Sequence, residues 1–168
     1  MPRAGIALGS NLAQRLANLQ AAREWLRRLA RPGEALLQAP IYQTKPVDCP
    51  DGSPDFYNTV VEIGYDGSPE DLLHRTQAIE SLLGRDRATL RNSPRLIDID
   101  LLYFDNATRA TGPLALPHPR LTQRRFVLQP LAEIRPELIL PGDHRTIAQH
   151  LAMLRSDEPA LTLVLAEW

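Results

Sequence analysis

The order in which strand-like and helix-like patterns follow one another is the feature that most restricts the fold of this chain. Apolar side chains recur at three- and four-residue steps in two segments, which predicts two amphipathic helices. Around them lie four short runs rich in apolar, β-branched or aromatic residues, which predict strands. The predicted strands cover residues 3–9, 35–43, 56–65 and 96–104, and the predicted helices lie between Leu12 and Leu29 and between Pro69 and Gly84.

Local signals indicate where these elements begin and end. Ser10 or Asn11 is expected to cap the first helix through its side chain. Ser68, followed by a proline and two acids, is typical of a helix start. Gly84 stands where a C-terminal cap glycine belongs. Pro40, inside the second predicted strand, predicts an edge position or a bulge there.

The predicted order is β-α-β-β-α-β, which is the ferredoxin-like arrangement. We therefore predict an α+β fold in which both helices cover one face of an antiparallel sheet. Residues 117–155 contain short helical segments and prolines, and we expect them to build a wall over the other face. Residues 161–168 are expected to form a short final strand. The length of 168 residues suits one domain, residues 1–168.

Charge and cysteine content restrict the partners and the compartment. Nineteen basic and twenty acidic side chains give a formal net charge of −1, which argues against bulk binding of nucleic acid or of an anionic membrane. The single cysteine, Cys49, permits no internal disulfide and fits a reducing compartment. The sequence shows neither a signal-peptide pattern nor a run long enough to span a membrane. We therefore expect a cytoplasmic protein.

The basic residues are unevenly distributed, and among them only Lys45 is a lysine. A planar guanidinium group presents a fork of donors that matches phosphate oxygens, so clustered arginines predict local anion sites. Two clusters are present, the first with Arg85, Arg87, Arg91 and Arg95 and the second with Arg120, Arg124 and Arg125.

Two aspartates alternate with apolar residues in the last predicted strand of the β-α-β-β-α-β core. Residues two apart in a strand point to the same side, so Asp98 and Asp100 project together while Ile97, Ile99 and Leu101 enter the core. Adjacent carboxylates repel each other unless a cation neutralises them, and Mg²⁺ typically takes one or two carboxylates plus substrate phosphates. A solvated strand face is the alternative interpretation, and the neighbouring arginines favour the metal–polyphosphate site.

Several short motifs occur in a fixed order along most of the chain. They are Ala7-Leu8-Gly9-Ser10-Asn11-Leu12, Tyr42 with Thr44, Phe56-Tyr57-Asn58, Ile79-Glu80 with Gly84-Arg85, Pro94-Arg95 with Asp98 and Asp100, Leu116-Pro117-His118-Pro119-Arg120, Arg124 with Phe126-Val127-Leu128, and Pro130-Leu131. Together they resemble the 6-hydroxymethyl-7,8-dihydropterin pyrophosphokinase family of folate biosynthesis. The resemblance implies transfer of the terminal pyrophosphoryl group of ATP to the hydroxymethyl oxygen of the pterin, with AMP as the second product.

The resemblance also implies a role for each matching residue. Asp98 and Asp100 match the ligands of two Mg²⁺ ions, and Arg85 and Arg95 match basic residues that assist catalysis. The segment around Arg87 resembles a lid that closes over ATP. The implied ATP-binding residues are Gln77, Glu80, Arg87, Arg91, Arg95, His118 and Arg124, and the implied pterin-binding residues are Thr44, Val47, Phe56, Asn58 and Phe126.

Part of the pterin pocket also follows from residue types alone. Phe56 and Asn58 lie two apart on one predicted strand and therefore share a face. An aromatic ring suits a flat heterocycle, and an asparagine amide offers both a donor and an acceptor to the amide edge of a pterin. Taken alone, Phe56 and Phe126 are more typical of core aromatics than of a ligand site.

Two alternative functions remain open at this point. Asn92, Ser93, Lys45, Pro113 and Ala115 depart from the family pattern, so a less active paralogue is one alternative.

The other alternative is a non-catalytic ferredoxin-like module that binds a ligand or RNA, because RNA-recognition domains share this element order. We place Asp98 and Asp100 on an inner strand, where their charges would repel a phosphate backbone. The expected partners are therefore ATP and the pterin rather than nucleic acid or a membrane, and the expected state is a monomer.

Overall fold

The computed structural model describes residues 2–46, 51–84, 96–110 and 112–168. Helices and strands in these ranges follow the predicted order closely. In chain order they are β1 (Arg3–Ser10), α1 (Arg15–Leu29), β2 (Leu37–Gln38), β3 (Ile41–Thr44), β4 (Phe56–Gly64), α2 (Pro69–Leu82), β5 (Asp98–Phe104), a 3-10 turn (Leu121–Gln123), α3 (Arg125–Ile134), α4 (Ile147–Met153) and β6 (Thr162–Leu165).

The strands form one antiparallel sheet in the order β5-β1-β4-β3-β6, with β2 pairing with β4 beside that path. The predicted α+β fold with its ferredoxin-like core is confirmed. The second predicted strand is divided at Pro40 into β2 and β3, as a bulge at this proline requires. Thr59 stabilises the interruption by donating its hydroxyl to the carbonyls of Ala39 and Pro40, each at 3.0 Å.

Both faces of the sheet are covered, and each cover has its own apolar core. Helices α1 and α2 bury Leu19, Leu26 and Leu72 against β1, β4 and β5. On the opposite face, α3 and α4 bury Leu128 and Ile147. The predictions that residues 117–155 cover the second face and that the tail ends in a strand are confirmed. No helix in the described ranges is long and apolar enough to cross a lipid bilayer.

The predicted cap of the first helix is wrong. Helix α1 begins after Gln14, which forms no side-chain cap hydrogen bond. Ser10 instead donates its hydroxyl to the Leu96 carbonyl at 2.5 Å, and Asn11 donates its amide to the Pro54 carbonyl at 3.2 Å. Both side chains therefore hold the backbone of segments that lead into β5 and β4. In the sequence alone, residues with this tertiary role cannot be distinguished from helix caps.

The signals around α2 are confirmed. Ser68 accepts a hydrogen bond from the Asp71 backbone, and Pro69 occupies the first turn. Gly84 follows the helix with a φ of +94°, a left-handed conformation that favours glycine. A Cβ at Gly84 would lie only 2.7 Å from Leu96 Cδ1, so the backbone after α2 packs directly against a residue that lies two positions before β5.

The position of β5 in the sheet differs from our expectation. It pairs with β1 and lies at one edge of the described sheet, so the placement of the two aspartates on an inner strand is wrong. The register with β1 shifts between Gly5 and Ile6, which leaves Leu102 as an extra residue on β5. Tyr103 consequently packs with α3 and α4, on the same side of the sheet as the aspartates. The Tyr103 ring occupies the space beside Gly5, which has no side chain.

A buried charged cluster lies at the end of the sheet away from the aspartates. The Glu62 side chain is fully buried and pairs with Arg3 and Arg135, each at 2.5 Å. It also accepts a hydrogen bond from the Tyr103 hydroxyl. Burial, together with the neighbouring Glu62 charge, raises the pKa of Tyr103. The cluster joins β1, β4 and the end of α3 through ionic contacts, and it joins β5 through the hydrogen bond of Tyr103.

We expect Asp143→Asn to lower the free energy of unfolding by about 1–2 kcal/mol at pH 7. The Asp143 carboxylate accepts the Arg145 backbone N–H at 3.1 Å and contacts His150 Nε2 at 2.5 Å. The Arg145 hydrogen bond is the main cause that lowers its pKa to about 2. Because the folded pKa is lowered, the stabilisation is present above roughly pH 4 and is lost as the pH falls toward 2. Urea unfolding at pH 7 and pH 3 measures the difference, and a difference that is constant with pH would contradict the assignment.

Candidate active site

A cavity of about 410 Å³ lies between the sheet and the start of α3. The adjoining ends of β1, β3, β4 and β5 form its floor, and the 3-10 turn and the first turn of α3 form one wall. A residue between α4 and β6, Glu158, completes the described lining. The cavity therefore lies on the sheet face for which the sequence predicted a site.

One corner of the cavity combines an aromatic ring with a fixed amide. Asn58 donates its amide N–H to Thr44 Oγ1 at 2.6 Å, and both side chains are buried. A Cβ at Gly9 would lie 2.7 Å from Asn58 Oδ1 and 3.6 Å from the Phe56 ring. The absence of a side chain at Gly9 therefore makes the space in which Phe56 and Asn58 lie side by side.

A second part of the cavity carries two carboxylates. Asp98 and Asp100 are half-buried and line it together, as the strand alternation predicts. Ile99 between them belongs to the core on the opposite face. Glu80 of α2, which is 2% exposed, accepts the Ile99 backbone N–H at 3.2 Å. The buried Glu80 carboxylate thus fixes the strand backbone between the two aspartates.

Basic and imidazole groups lie near these carboxylates. His118 Nδ1 accepts the Arg120 backbone N–H at 3.1 Å. Burial and the charges of Arg124 and Arg120 lower the pKa of His118, and Asp98 acts in the opposite direction. These effects favour the neutral ring, and a neutral ring that accepts a hydrogen bond at Nδ1 carries its proton on Nε2. The Arg124 guanidinium lies 5.5 Å from the centre of the Phe126 ring.

The cavity brings together eight of the predicted site residues: Thr44, Phe56, Asn58, Asp98, Asp100, His118, Arg124 and Phe126. Gln77 and Glu80 lie on α2 and are not among the residues that line it. The lid segment and the predicted residues Val47, Arg85, Arg87, Arg91 and Arg95 lie outside the described residues, as do Asn92 and Ser93.

Some lining residues received no role from the sequence. Lys45 was noted only as a departure from the family pattern, yet it lines the cavity beside Thr44. Gln123 lines the opposite wall and belongs to no motif. Glu158 lies in an irregular segment, so periodicity gives no signal for it. Arg120, which belongs to the second arginine cluster, also lines the cavity.

The donors present fit a hard divalent cation. Asp98 and Asp100 offer oxygen ligands on one strand face, the type of donor that Mg²⁺ prefers, and Mg²⁺ commonly completes its shell with water and substrate phosphates. Among the described residues, no group of three or more His, Cys, Asp and Glu side chains is arranged to hold a metal ion. A fully protein-made cage is therefore not observed there.

Comparison with known proteins assigns the family. Residues 5–136 match the family model described as 7,8-dihydro-6-hydroxymethylpterin-pyrophosphokinase (HPPK). The chain belongs to the HPPK family. The matched range runs from β1 to the end of α3 and includes every described lining residue except Glu158.

Individual relatives agree with this assignment. A 2-amino-4-hydroxy-6-hydroxymethyldihydropteridine pyrophosphokinase of Methylorubrum extorquens is 40% identical over 156 residues, covering 92% of this chain and 94% of its own length. The Bacillus subtilis protein of the same name is 43% identical over 129 residues, covering 77% of this chain and 75% of its own. The folic acid synthesis protein fol1 of Schizosaccharomyces pombe is 33% identical over 152 residues, which are 90% of this chain but only 20% of that larger protein.

Solved structures share the fold of the HPPK-family chain. The wild-type HPPK-DHPS of Plasmodium falciparum superposes with a TM-score of 0.69 at 14% identity, covering 90% of this chain and 44% of that one. At this identity the likeness concerns the fold.

We expect two substitutions to move the pKa of His118 in opposite directions. Arg124→Met removes a charge that lowers it, so the pKa should rise, whereas Asp98→Asn removes a charge that raises it, so the pKa should fall further. An NMR titration of the carbon-bound imidazole protons measures both shifts. Equal shifts in one direction would show that changes in burial, rather than these two charges, determine the pKa of His118.

Proposed function

We propose that this protein transfers the pyrophosphoryl group of ATP to the hydroxymethyl oxygen of 6-hydroxymethyl-7,8-dihydropterin in folate biosynthesis. The observation that carries the proposal is a single cavity that joins a site for a flat heterocycle to a carboxylate pair and a cationic wall. Membership of the HPPK family supports it. The alternative of an RNA-binding module is not favoured, because without a metal ion the carboxylate pair would repel a phosphate backbone and because the formal net charge of the chain is −1.

Phe56, Phe126 and Asn58 are the proposed pterin contacts. The two half-buried rings can enclose a flat heterocycle, and Asn58 can pair with its amide edge. Thr44 accepts the Asn58 amide N–H and thereby holds this side chain in one orientation. Val47, outside the described residues, is proposed as a further contact.

Asp98 and Asp100 are the proposed ligands of two Mg²⁺ ions. When bound there, Mg²⁺ would neutralise charge on the triphosphate and favour alignment of the attacking and leaving oxygens. Glu80 supports this role indirectly, because its hydrogen bond to Ile99 fixes the backbone between the two ligands. A rigid pair limits the reorganisation needed when the metal and the substrate bind.

His118 and Arg124 are the proposed phosphate-binding groups of the described cavity wall. The neutral His118 ring donates through Nε2, and Arg124 provides a charged fork of donors. Catalytic assistance by Arg85 and Arg95, and ATP contacts by Gln77, Glu80, Arg87 and Arg91, complete the proposal. In the reaction the pterin oxygen bonds to the β-phosphorus, the bond from that phosphorus to the α-phosphate oxygen breaks, the hydroxyl proton is lost and AMP leaves.

The direct test is to incubate the protein with ATP, Mg²⁺ and the hydroxymethyl pterin and to identify the products by mass spectrometry. We expect AMP and a pterin heavier by a diphosphate, in equal amounts, and no reaction in excess chelator. Asp98→Asn and Asp100→Asn should lose most of the turnover while circular dichroism shows a retained fold. ADP with a monophosphorylated pterin would contradict the mechanism, and unchanged turnover in both variants would contradict the metal assignment.

We expect Phe56→Ala to weaken pterin binding by about 1–3 kcal/mol, the scale of one lost aromatic stacking contact. ATP binding should change little, because this ring lies in the corner with Asn58 rather than beside Arg124. Calorimetric titration with each ligand separates the two effects. Tyr57→Leu is the matched control. Tyr57 lies on the opposite face of the sheet, where the guanidinium carbon of Arg15 is 4.0 Å from the centre of its ring. Equal losses for both ligands would show that Phe56 acts through the core.

A cytoplasmic location and a monomeric state remain predictions. The lone cysteine, which fits a reducing compartment, supports the first.

A further inference from the structure

Glu158 is the one described lining residue of the cavity that lies beyond the HPPK-family match. It is half-buried, in the irregular segment between α4 and β6. Its backbone N–H donates to Ser156 Oγ at 3.1 Å, a local contact that accompanies a bend of the chain at this residue. The residue before it, Asp157, is exposed and does not line the cavity.

The charges on the described cavity lining balance one another when Glu158 is included. Burial and the neighbouring arginine charges favour the neutral form of His118. The cationic lining residues are Lys45, Arg120 and Arg124, and the anionic ones are Asp98, Asp100 and Glu158. Without Glu158 this part of the lining would carry an excess positive charge before any metal bound.

Glu158 differs from the two aspartates in what a metal ion does to its charge. Among the described residues, Glu158 is not arranged with Asp98 and Asp100 as a third ligand of one metal ion. A cation held by the aspartate pair would therefore neutralise the charge of the pair and leave the charge of Glu158 unchanged. The Glu158 charge continues to act on an anion that approaches Arg124.

The electrostatic influence of Glu158 extends to Arg124. Burial is the main cause that lowers the pKa of Arg124, followed by the charge of Arg120. Asp100, Asp98 and Glu158 act in the opposite direction. Glu158 thus offsets part of the attraction that this guanidinium would exert on a phosphate group.

We propose that Glu158 is a specificity-determining residue that weakens the binding of metal-free phosphate compounds in this cavity and so favours nucleotide bound to a divalent cation. The inference rests on the proposed function, since it concerns the same ATP site. Without metal, an incoming polyphosphate meets a lining whose described charges cancel. With a divalent cation on the aspartate pair, the attraction outweighs the repulsion from one carboxylate.

The test compares Glu158→Gln with Asp157→Asn, two variants that remove the same charge at neighbouring positions. The probe is inorganic pyrophosphate in excess chelator, titrated by calorimetry at low salt. Glu158→Gln should bind pyrophosphate about three- to tenfold more tightly than the wild-type protein, as expected for one unscreened carboxylate at short range. Asp157→Asn should match the wild type, and high salt should reduce the gain.

Two results would overturn the proposal. Equal pyrophosphate affinity for both variants would show that the Glu158 charge does not reach the anion, and weaker binding by Glu158→Gln would show that it supports anion binding instead. The AMP-forming assay of the wild-type protein with Mg²⁺ is run in parallel. Failure of that assay alone would reject the proposed function, whereas the pyrophosphate comparison would still decide the charge effect of Glu158.

Discussion

The small side chains on one face of β1 are the constraint on which the cavity and its surroundings depend. Gly5, Ala7 and Gly9 alternate with core residues, so β1 presents almost no bulk toward α3. Added carbon at Gly5 would enter the Tyr103 ring, and at Gly9 it would enter the Asn58 amide. The larger side chains of β4 and β5 can therefore lie over β1 and approach one another. A central strand with bulky residues on both faces would fill the space that ligands require.

The same face of the sheet has two polar ends with different physical roles. At one end, the fully buried Glu62 is compensated by Arg3, Arg135 and the Tyr103 hydroxyl. Removing one partner from such a cluster leaves an uncompensated buried charge, which typically costs about 3–5 kcal/mol. At the other end, Asp98 and Asp100 remain half-buried at the cavity. Compensated, fully buried charges thus fix one end of the sheet, and half-buried carboxylates line the cavity at the other end.

Local patterns in the sequence predicted what depends on local geometry. The alternation of Asp98, Ile99 and Asp100 determines which side chains share a face, whatever the neighbours of the strand, and the prediction of that face is confirmed. The helix start at Ser68 is equally local and is also confirmed. For the same reason, Phe56 and Asn58 could be assigned to one side of their strand.

The errors concern relations between distant parts of the chain. The edge position of β5 depends on which strands pair, and pairing is not encoded in any one segment. Ser10 has the residue type of a helix cap, but its partner is the Leu96 carbonyl, 86 positions along the chain. Glu158 reaches the cavity only because β6 pairs with β3 and brings the tail across the sheet. Tertiary contacts of this kind override local propensity.

The packing of Gly84 against Leu96 has a consequence for how this chain can vary. The two residues are anchored independently, the first by the end of α2 and the second by Ser10, so residues 84 and 96 are held next to each other in the fold. The entropy of closing a loop rises only slowly with its length once its ends are held together. A change in the number of residues between them therefore adds little closure entropy and need not displace the aspartates two and four positions beyond Leu96.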